Sequence, residues 1–376
     1  MELFDAIKKT ILLRPNTIPA SKNIGIVCFE SAISSIPDVL LDNAQFIFVI
    51  DAQEEQLQTM SREIYTLKKR KISFLPFAEI SSRIDLEFVF YHHNFESRAQ
   101  FYCYRYMRNA GYESFYTFFP ISYDNGMTFT HNPDYYSFNK ENLERVFKIL
   151  NDDKSKEVFA ARIRAIVSGC VGYLKVSEYE EYFHPLVALK KGDIVIDGGI
   201  SEYISSQLKF LEVIGPTGKW FGFEPDPVGF HAASEKIKKL APHNNHHIVH
   251  LGLWDKQDKL YFEILGEGTR GHQTKRRGSI ECDVISIDEF INQNNLDKVD
   301  FIKLDVEGAE LNVLKGCIQT ITKYRPKLAI SLYHQPQDLY QIPIFLSEIC
   351  MDYEFYLGHH HSALHETILY AKPKLL

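Results

Sequence analysis

One stretch constrains this chain more than any other: DIVIDGGISEYISSQLKFLEVIGPTGKWFGFEPDP, from Asp193 to Pro227. An apolar run, Ile194 to Ile196, ends at Asp197 and is followed by Gly198 and Gly199. Ile204, Leu208 and Leu211 then recur at helical spacing. A Gly-Pro-Thr-Gly turn leads into a second apolar run, Trp220 to Phe223, which closes on Glu224. Strand, glycine turn, helix, strand and acid form one half of a nucleotide-binding α/β unit.

The residue types carry a chemistry. Glycines at a strand end let backbone approach a ligand, because no Cβ intervenes. An acid at the tip of the next strand can accept both hydroxyls of a ribose. Neither a phosphate-cradling Gly-Lys-Ser loop nor G-x-G-x-x-G is present. The ligand implied has a ribose but no pyrophosphate, and S-adenosylmethionine fits. The bland alternative is a dinucleotide fold whose turn has degenerated.

At 376 residues the chain has room for two domains. A formal net charge of −7 argues against a general nucleic-acid surface. The six cysteines (28, 103, 170, 282, 317 and 350) include no C-x-x-C pair, which predicts reduced core thiols in a cytoplasmic protein. MELFDAIKKTILLRP lacks the pattern of a signal peptide, and no apolar run approaches a membrane span.

Along the chain, NIGIVCF (23–29), FIFVID (46–51) and LEFVFY (86–91) are short strand patterns, separated by helical ones at 52–69 and 95–111. They predict a small Rossmann-like domain over 1–140. Asp51 sits at a strand tip, but the first turn, CFESA, has no glycine, so an empty nucleotide fold is the plainer reading. Residues 120–140 read as a linker. Residues 141–183 read as a helical connector, packed on the second domain and forming one wall of its cleft. The second domain spans 184–376. There HHIVHLGLW (246–254) reads as the third strand, and its histidines with His243 read as solvated rather than metal-binding. The loop 266–279 carries Arg270, Lys275, Arg276 and Arg277, a basic flap that would recruit an anionic acceptor or simply be solvated. VDFIKLDVEGAELNVLKG (299–316) places Asp305, Glu307 and Glu310 at a strand's C-terminal end, and KLAISLYH (327–334) delivers His334 to the same edge. YEFYLG (353–358) and ETILYAK (366–372) read as a closing antiparallel hairpin. If its first strand runs parallel to the sheet, His359, His360, His361 and His365 lie near the cleft.

Asp197–Tyr203, Phe223–Glu224–Pro225 and the DVEGAE box at 305–310, with Arg325–Pro326 and YHQPQDL at 333–339, resemble the FkbM family of S-adenosylmethionine-dependent methyltransferases. The resemblance covers about 190–372. It implies a class I methyltransferase fold: a seven-stranded sheet with a terminal antiparallel hairpin, here preceded by the smaller α/β domain. It also implies O-methylation of a sugar hydroxyl in a glycan, polysaccharide or natural product. By that similarity Asp197 and Gly199 line the methionine tail, Glu224 holds the ribose and Asp305 sits beside the transferred methyl. Gly198, Ser201 and Pro225 of the matched stretches are further cofactor-binding candidates, and Trp254 joins them. The chain departs from the family's usual glycine turn at Ile200, Ser201 and Tyr203, where a tyrosine could crowd the helix.

A sugar hydroxyl is a weak nucleophile, so a base or a metal is needed. The base candidates are Asp305, His334 and Glu307. The metal alternative places a divalent ion on Asp305, Glu307 and a histidine. Glu310 reads as a cap of the following helix. Two other functions stand beside methyl transfer: a non-catalytic module binding a glycan or protein, and a nicotinamide-dependent enzyme motivated by Asp51.

Overall fold

The computed structural model describes residues 3–7, 23–30, 33, 36, 41–42, 44–50, 56–60, 72–82, 86, 88–92, 106–112, 115–117, 134–168, 170–200, 204–263, 273–275, 280–362 and 364–374. Five short strands come first: β1 (Ile24–Cys28), β2 (Phe46–Val49), β3 (Ser73–Pro76), β4 (Phe88–His92) and β5 (Phe115–Thr117). They form a parallel sheet in the order β3-β2-β1-β4-β5. The apolar runs predict β1, β2 and β4. They miss β3, which ends on Pro76, and β5, which is three residues long. Ile24, Ile26 and Cys28 pack to one face, while Val27 joins Phe48 on the other, as the two-residue strand period requires. Asp51 lies outside the described residues.

The connector differs from its expectation at both ends. Its first helix, Tyr135–Ile149, begins inside the segment read as linker, and the second, Asp153–Ser168, ends well before 182. Ser168 stops it: its hydroxyl bonds back to the Arg164 carbonyl at 2.6 Å and accepts the Cys170 N–H at 3.0 Å. Beyond a 3₁₀ turn at Val171–Tyr173, the chain to Tyr182 is not helical. The second helix packs against the far hairpin and buries Arg162 completely. Arg162 Nε donates to Thr367 Oγ1 at 3.0 Å and Nη2 to the Leu364 carbonyl. Burial lowers its pKa to about 9, which still leaves it charged at neutral pH.

The large sheet has the order β15-β16-β14-β13-β6-β7-β8. Its strands are β6 (Ile194–Gly198), β7 (Lys219–Phe223), β8 (His246–Val249), β13 (Phe301–Leu304), β14 (Lys327–Ser331), β15 (Tyr353–His359) and β16 (Thr367–Pro373). The first five are parallel and β16 runs against both its neighbours, so β15 points the same way as β14. The loop 360–366 therefore sits at the edge that carries Asp305. β6 and β13 are buried at every position, as parallel strands covered on both faces must be.

The segment read as a single third strand, 246–254, breaks in two. β9 (Gly252–Leu253) leaves the large sheet and joins β10 (Asp258–Glu263), β11 (Gln273–Lys275) and β12 (Ile280–Ile285) in a separate sheet, order β11-β10-β12-β9. Its histidines pack apart. His247 stacks on Phe221 with ring centroids 4.9 Å apart, and His250 on Phe230 at 4.6 Å. Arg270, Arg276 and Arg277 lie outside the described residues, and Cys103 does too. The other five cysteines are buried thiols. Among the described residues, no helix is long and apolar enough to cross a membrane.

Replacing Arg162 by methionine strands the Leu364 carbonyl and Thr367 without their donor. The expected loss is about 3 kcal/mol of unfolding free energy, read from urea denaturation. A change within about 0.5 kcal/mol would mean the clip adds nothing.

Candidate active site

The sheet's strand order reverses between β6 and β13, which makes their C-terminal ends a topological switch point. The parallel register sets Lys303 beside Asp197. Lys303 Nζ lies 3.1 Å from Asp197 Oδ1 and donates to the Gly198 carbonyl at 3.0 Å and the Gly199 carbonyl at 2.6 Å. Asp197 also accepts from Trp220 Nε1 at 3.1 Å and Gln207 Nε2 at 3.2 Å. Asp197 is thus sealed behind the turn and does not line the cavity. Gly198 lies behind it as well, contributing its carbonyl to Lys303. Gly199, at φ +78°, reaches the surface of the cleft, and a Cβ there would stand 1.8 Å from the Asp305 carbonyl oxygen. No other residue fits that crossing.

A cavity of about 290 Å³ opens over these strand tips. Of the residues predicted from sequence, Gly199, Glu224, Pro225, Trp254, Asp305 and Glu307 line it. Ser201 and Tyr203 lie outside the described residues. Glu224 accepts the Asp226 N–H at 2.9 Å, and burial pushes its carboxyl up to about 8. Leu253, Leu260, Trp254 and Pro225 give the neighbouring wall an apolar lining.

The acids after β13 form a graded charge network. Asp305 accepts hydroxyls from Tyr333 on Oδ1 and Tyr182 on Oδ2, each at 2.8 Å. Burial opposes its charge, but Lys303, His334 and those two phenols outweigh it and hold its pKa below the ordinary value. His334 is 4 % exposed. Its Nδ1 lies 2.9 Å from Glu310 Oε1, and its Nε2 lies 3.4 Å from Asp305 and 3.6 Å from Glu307. Burial alone would lower its pKa; Glu310, Glu307 and Asp305 together raise it to about 10. Set behind the cavity wall among three carboxyls, it is placed to favour the imidazolium over the free base. Glu307 is different. Its side chain is 37 % exposed to the cleft, and burial of the carboxyl raises its pKa to about 7. Glu310 accepts the Val306 N–H at 2.8 Å at the start of the helix Glu310–Lys315 and orients His334.

Asp305, Glu310 and His334 each bring a ligand-type atom within 4.8 Å of the others. Most of their capacity is already committed, with Glu310 Oε2 buried and left without a hydrogen-bond partner. Both Asp305 oxygens already accept phenols, and Glu310 Oε1 is held by the Val306 amide and His334. A proton on His334 satisfies the same charges.

The residues that sequence reading missed are Lys303, Glu181, Tyr182, Tyr333 and Glu366. Lys303 lies inside the strongest motif, but one cation amid an apolar strand gives no hint of its partner. Among the described non-glycine residues at positive φ, Tyr182 (66°), Glu307 (55°) and Glu366 (55°) all line the cavity. Such backbone costs on the order of 1 kcal/mol or more per residue and collects at functional sites.

Residues 197–365 match the family model of the methyltransferase FkbM domain. The chain is similar to the 2-O-methyltransferase NoeI of Sinorhizobium fredii, 26 % identical over 178 residues, covering 42 % of this chain and 70 % of the relative. It is also similar to the hexuronic acid methyltransferase AglP of Haloferax volcanii, 36 % identical over 101 residues, covering 26 % of this chain and only 40 % of that protein. The fold matches a crystal structure of methyltransferase FkbM from Methylobacillus flagellatus KT with a TM-score of 0.61 at 18 % identity, over 98 % of this chain and 97 % of the other. At that identity the likeness establishes architecture.

The His334 network has a pH signature. The folded protein holds this proton more tightly than an unfolded chain, whose histidine titrates near 6.5. Its stabilisation is full below about pH 6.5 and is lost as the pH climbs through about 10, a change on the order of 5 kcal/mol. Urea midpoints at pH 6, 8 and 10 should fall accordingly, and His334→Gln should flatten the trend. A wild-type profile as flat as the variant's would refute the imidazolium.

Proposed function

We propose that this chain, an S-adenosylmethionine-dependent methyltransferase with an FkbM domain, methylates a sugar hydroxyl of a glycan or related saccharide, with Glu307 as the general base. Support for a hydroxyl comes from the relative named as a 2-O-methyltransferase, and support for a sugar from the one named for hexuronic acid. The observation that carries the mechanism is the position of Glu307 on the cavity wall, with a carboxyl raised to about 7 beside a carboxylate, Asp305, held ionised.

The cavity residues suit this cofactor. The Glu224 carboxyl can hydrogen-bond the two ribose hydroxyls, and the apolar wall at Leu253 and Trp254 can cover an adenine. Ser205 and Ser206 open the ten-residue helix Ser205–Ile214, whose amide end favours a carboxylate. Bound there, S-adenosylmethionine supplies an electrophilic methyl on a sulfonium that departs as a neutral thioether.

Glu307 then takes the hydroxyl proton as the oxygen forms its bond to the methyl carbon. A base with a pKa near the working pH combines a useful ionised fraction with real proton affinity. Asp305, anchored by two phenols, is too weakly basic for that role. Its fixed negative charge faces the cationic centre and helps to orient it. His334 stays protonated and holds Asp305 and Glu307 in place.

Two measurements check this reading. S-adenosylmethionine and S-adenosylhomocysteine should each raise the melting temperature, with about 2.7 kcal/mol of stabilisation at a hundredfold excess over Kd, whereas NAD should not. Glu307→Gln should cut kcat by about 10²–10⁴-fold while cofactor affinity stays near wild type. Wild-type kcat should rise as the pH passes through about 7. Full turnover by the Gln variant would remove Glu307 from the mechanism.

A further inference from the structure

Two carboxyls on the cavity wall have no part in the chemistry above. Glu181 comes from the connector, one residue before Tyr182, and Glu366 immediately precedes β16. Their carboxyls hydrogen-bond to each other. Glu181 Oε1 is buried with no hydrogen-bond partner, which is costly unless something supplies a donor. Glu366 sits at φ 55°, with its carbonyl accepting the His360 N–H at 2.9 Å, so the backbone holds an unfavourable conformation to present this side chain. Neither residue falls within the 197–365 family match.

The same cavity is lined by Glu224, Asp305 and Glu307. Five acids thus face it, against one cation, Lys303. A lysine has three donors, and Lys303 directs them at Asp197 and the Gly198 and Gly199 carbonyls. His334 is committed to Glu310, Asp305 and Glu307. Among the described lining residues, no cation is left for an anionic acceptor.

We propose that Glu181 and Glu366 bind the acceptor through hydroxyls beside the reacting one, and that the methylated ring is a sugar bearing no carboxylate. This rests on the sugar-hydroxyl reading above and narrows it. Burial raises both carboxyls, and one proton shared between them is spent on their mutual hydrogen bond, which leaves the remaining carboxyl oxygens as acceptors. Such oxygens, Glu181 Oε1 among them, can each accept from one of two neighbouring hydroxyls. A hexuronate ring would bring a further negative charge to a wall that already must share protons to remain neutral enough to fold.

The test uses the full chain, labelled S-adenosylmethionine and a total glycan extract from the cells that carry the protein. After transfer, the glycans are hydrolysed and the labelled monosaccharide is identified. Label on a neutral or amino sugar is the expected result. Label on a hexuronic acid overturns the proposal while leaving methyl transfer to sugars standing. An absence of label in any sugar overturns that parent reading and this one with it. Glu181→Gln and Glu366→Gln should each raise KM for the labelled acceptor at least about tenfold, with kcat and cofactor affinity changed far less. An unchanged KM in both variants, with only the melting temperature moved, would reduce the pair to a structural contact.

Discussion

Lys303 and Asp197 meet where the two halves of the large sheet diverge, and the site is arranged around that contact. Both are essentially inaccessible to solvent. Burying two charges costs several kcal/mol per ion before their attraction is counted, so the pair is a poor way to gain stability. What it does supply is position. The ammonium gathers the Gly198 and Gly199 carbonyls, and Asp197 gathers the Trp220 indole and the Gln207 amide. Six groups from β6, β7, β13, the glycine turn and the helix after β6 are thereby locked to one point. An apolar pair of equal volume would fill the space without aiming the turn. With the turn aimed, Gly199 passes so near the Asp305 carbonyl that cofactor and acceptor edges share one wall.

The parts of this arrangement legible in sequence are those with periodic or positional signals. Continuous apolar runs ending in Asp197, Glu224 and Asp305 mark parallel strands and put acids at their tips, and the described structure has those strands in those places. The chemistry of each acid is less legible, because it depends on what lies across the fold. Asp197 looks the same as Glu224 on paper, an acid at the end of a strand. One is neutralised by a lysine in register on the next strand and sealed, while the other faces the cleft. His334 likewise reads as a base until three carboxylates surround it and fix its proton. The break in 246–254 was hidden for a similar reason. Gly252–Leu253 has the apolar character of a strand continuing, and only the pairing offered by Val284 and Ile285 draws it into another sheet.

Backbone strain adds a signal that residue type lacks: three of the five described non-glycine residues at positive φ line the cavity, while Asn295 and Arg325 follow helix ends elsewhere. Glu307 stands at positive φ beside Gly308, also at positive φ, directly after β13. A glycine would adopt that conformation without cost, yet a glutamate occupies it. Tyr182 and Glu366 repeat the pattern on unrelated segments. Three independent stretches of chain thus hold unfavourable conformations to aim polar side chains into one cavity. Packing gives no reason for such convergence, since apolar or small residues would fill the space at lower cost.

The division of the cavity between segments explains why one half of it answers to motifs and the other does not. Gly199, Glu224, Asp305 and Glu307 lie within residues 197–365, the span of the family match. Glu181 and Tyr182 precede that match and Glu366 follows it. The connector is fastened to the hairpin through Arg162, which bonds Leu364 and Thr367 on either side of Glu366, through Ser177 on His359, and through the Tyr182 N–H on the Tyr370 hydroxyl. The connector is therefore part of the active-site wall rather than a spacer. A wall assembled from a connector and a loop, proposed above to face the acceptor, can change its chemistry without disturbing the strand tips.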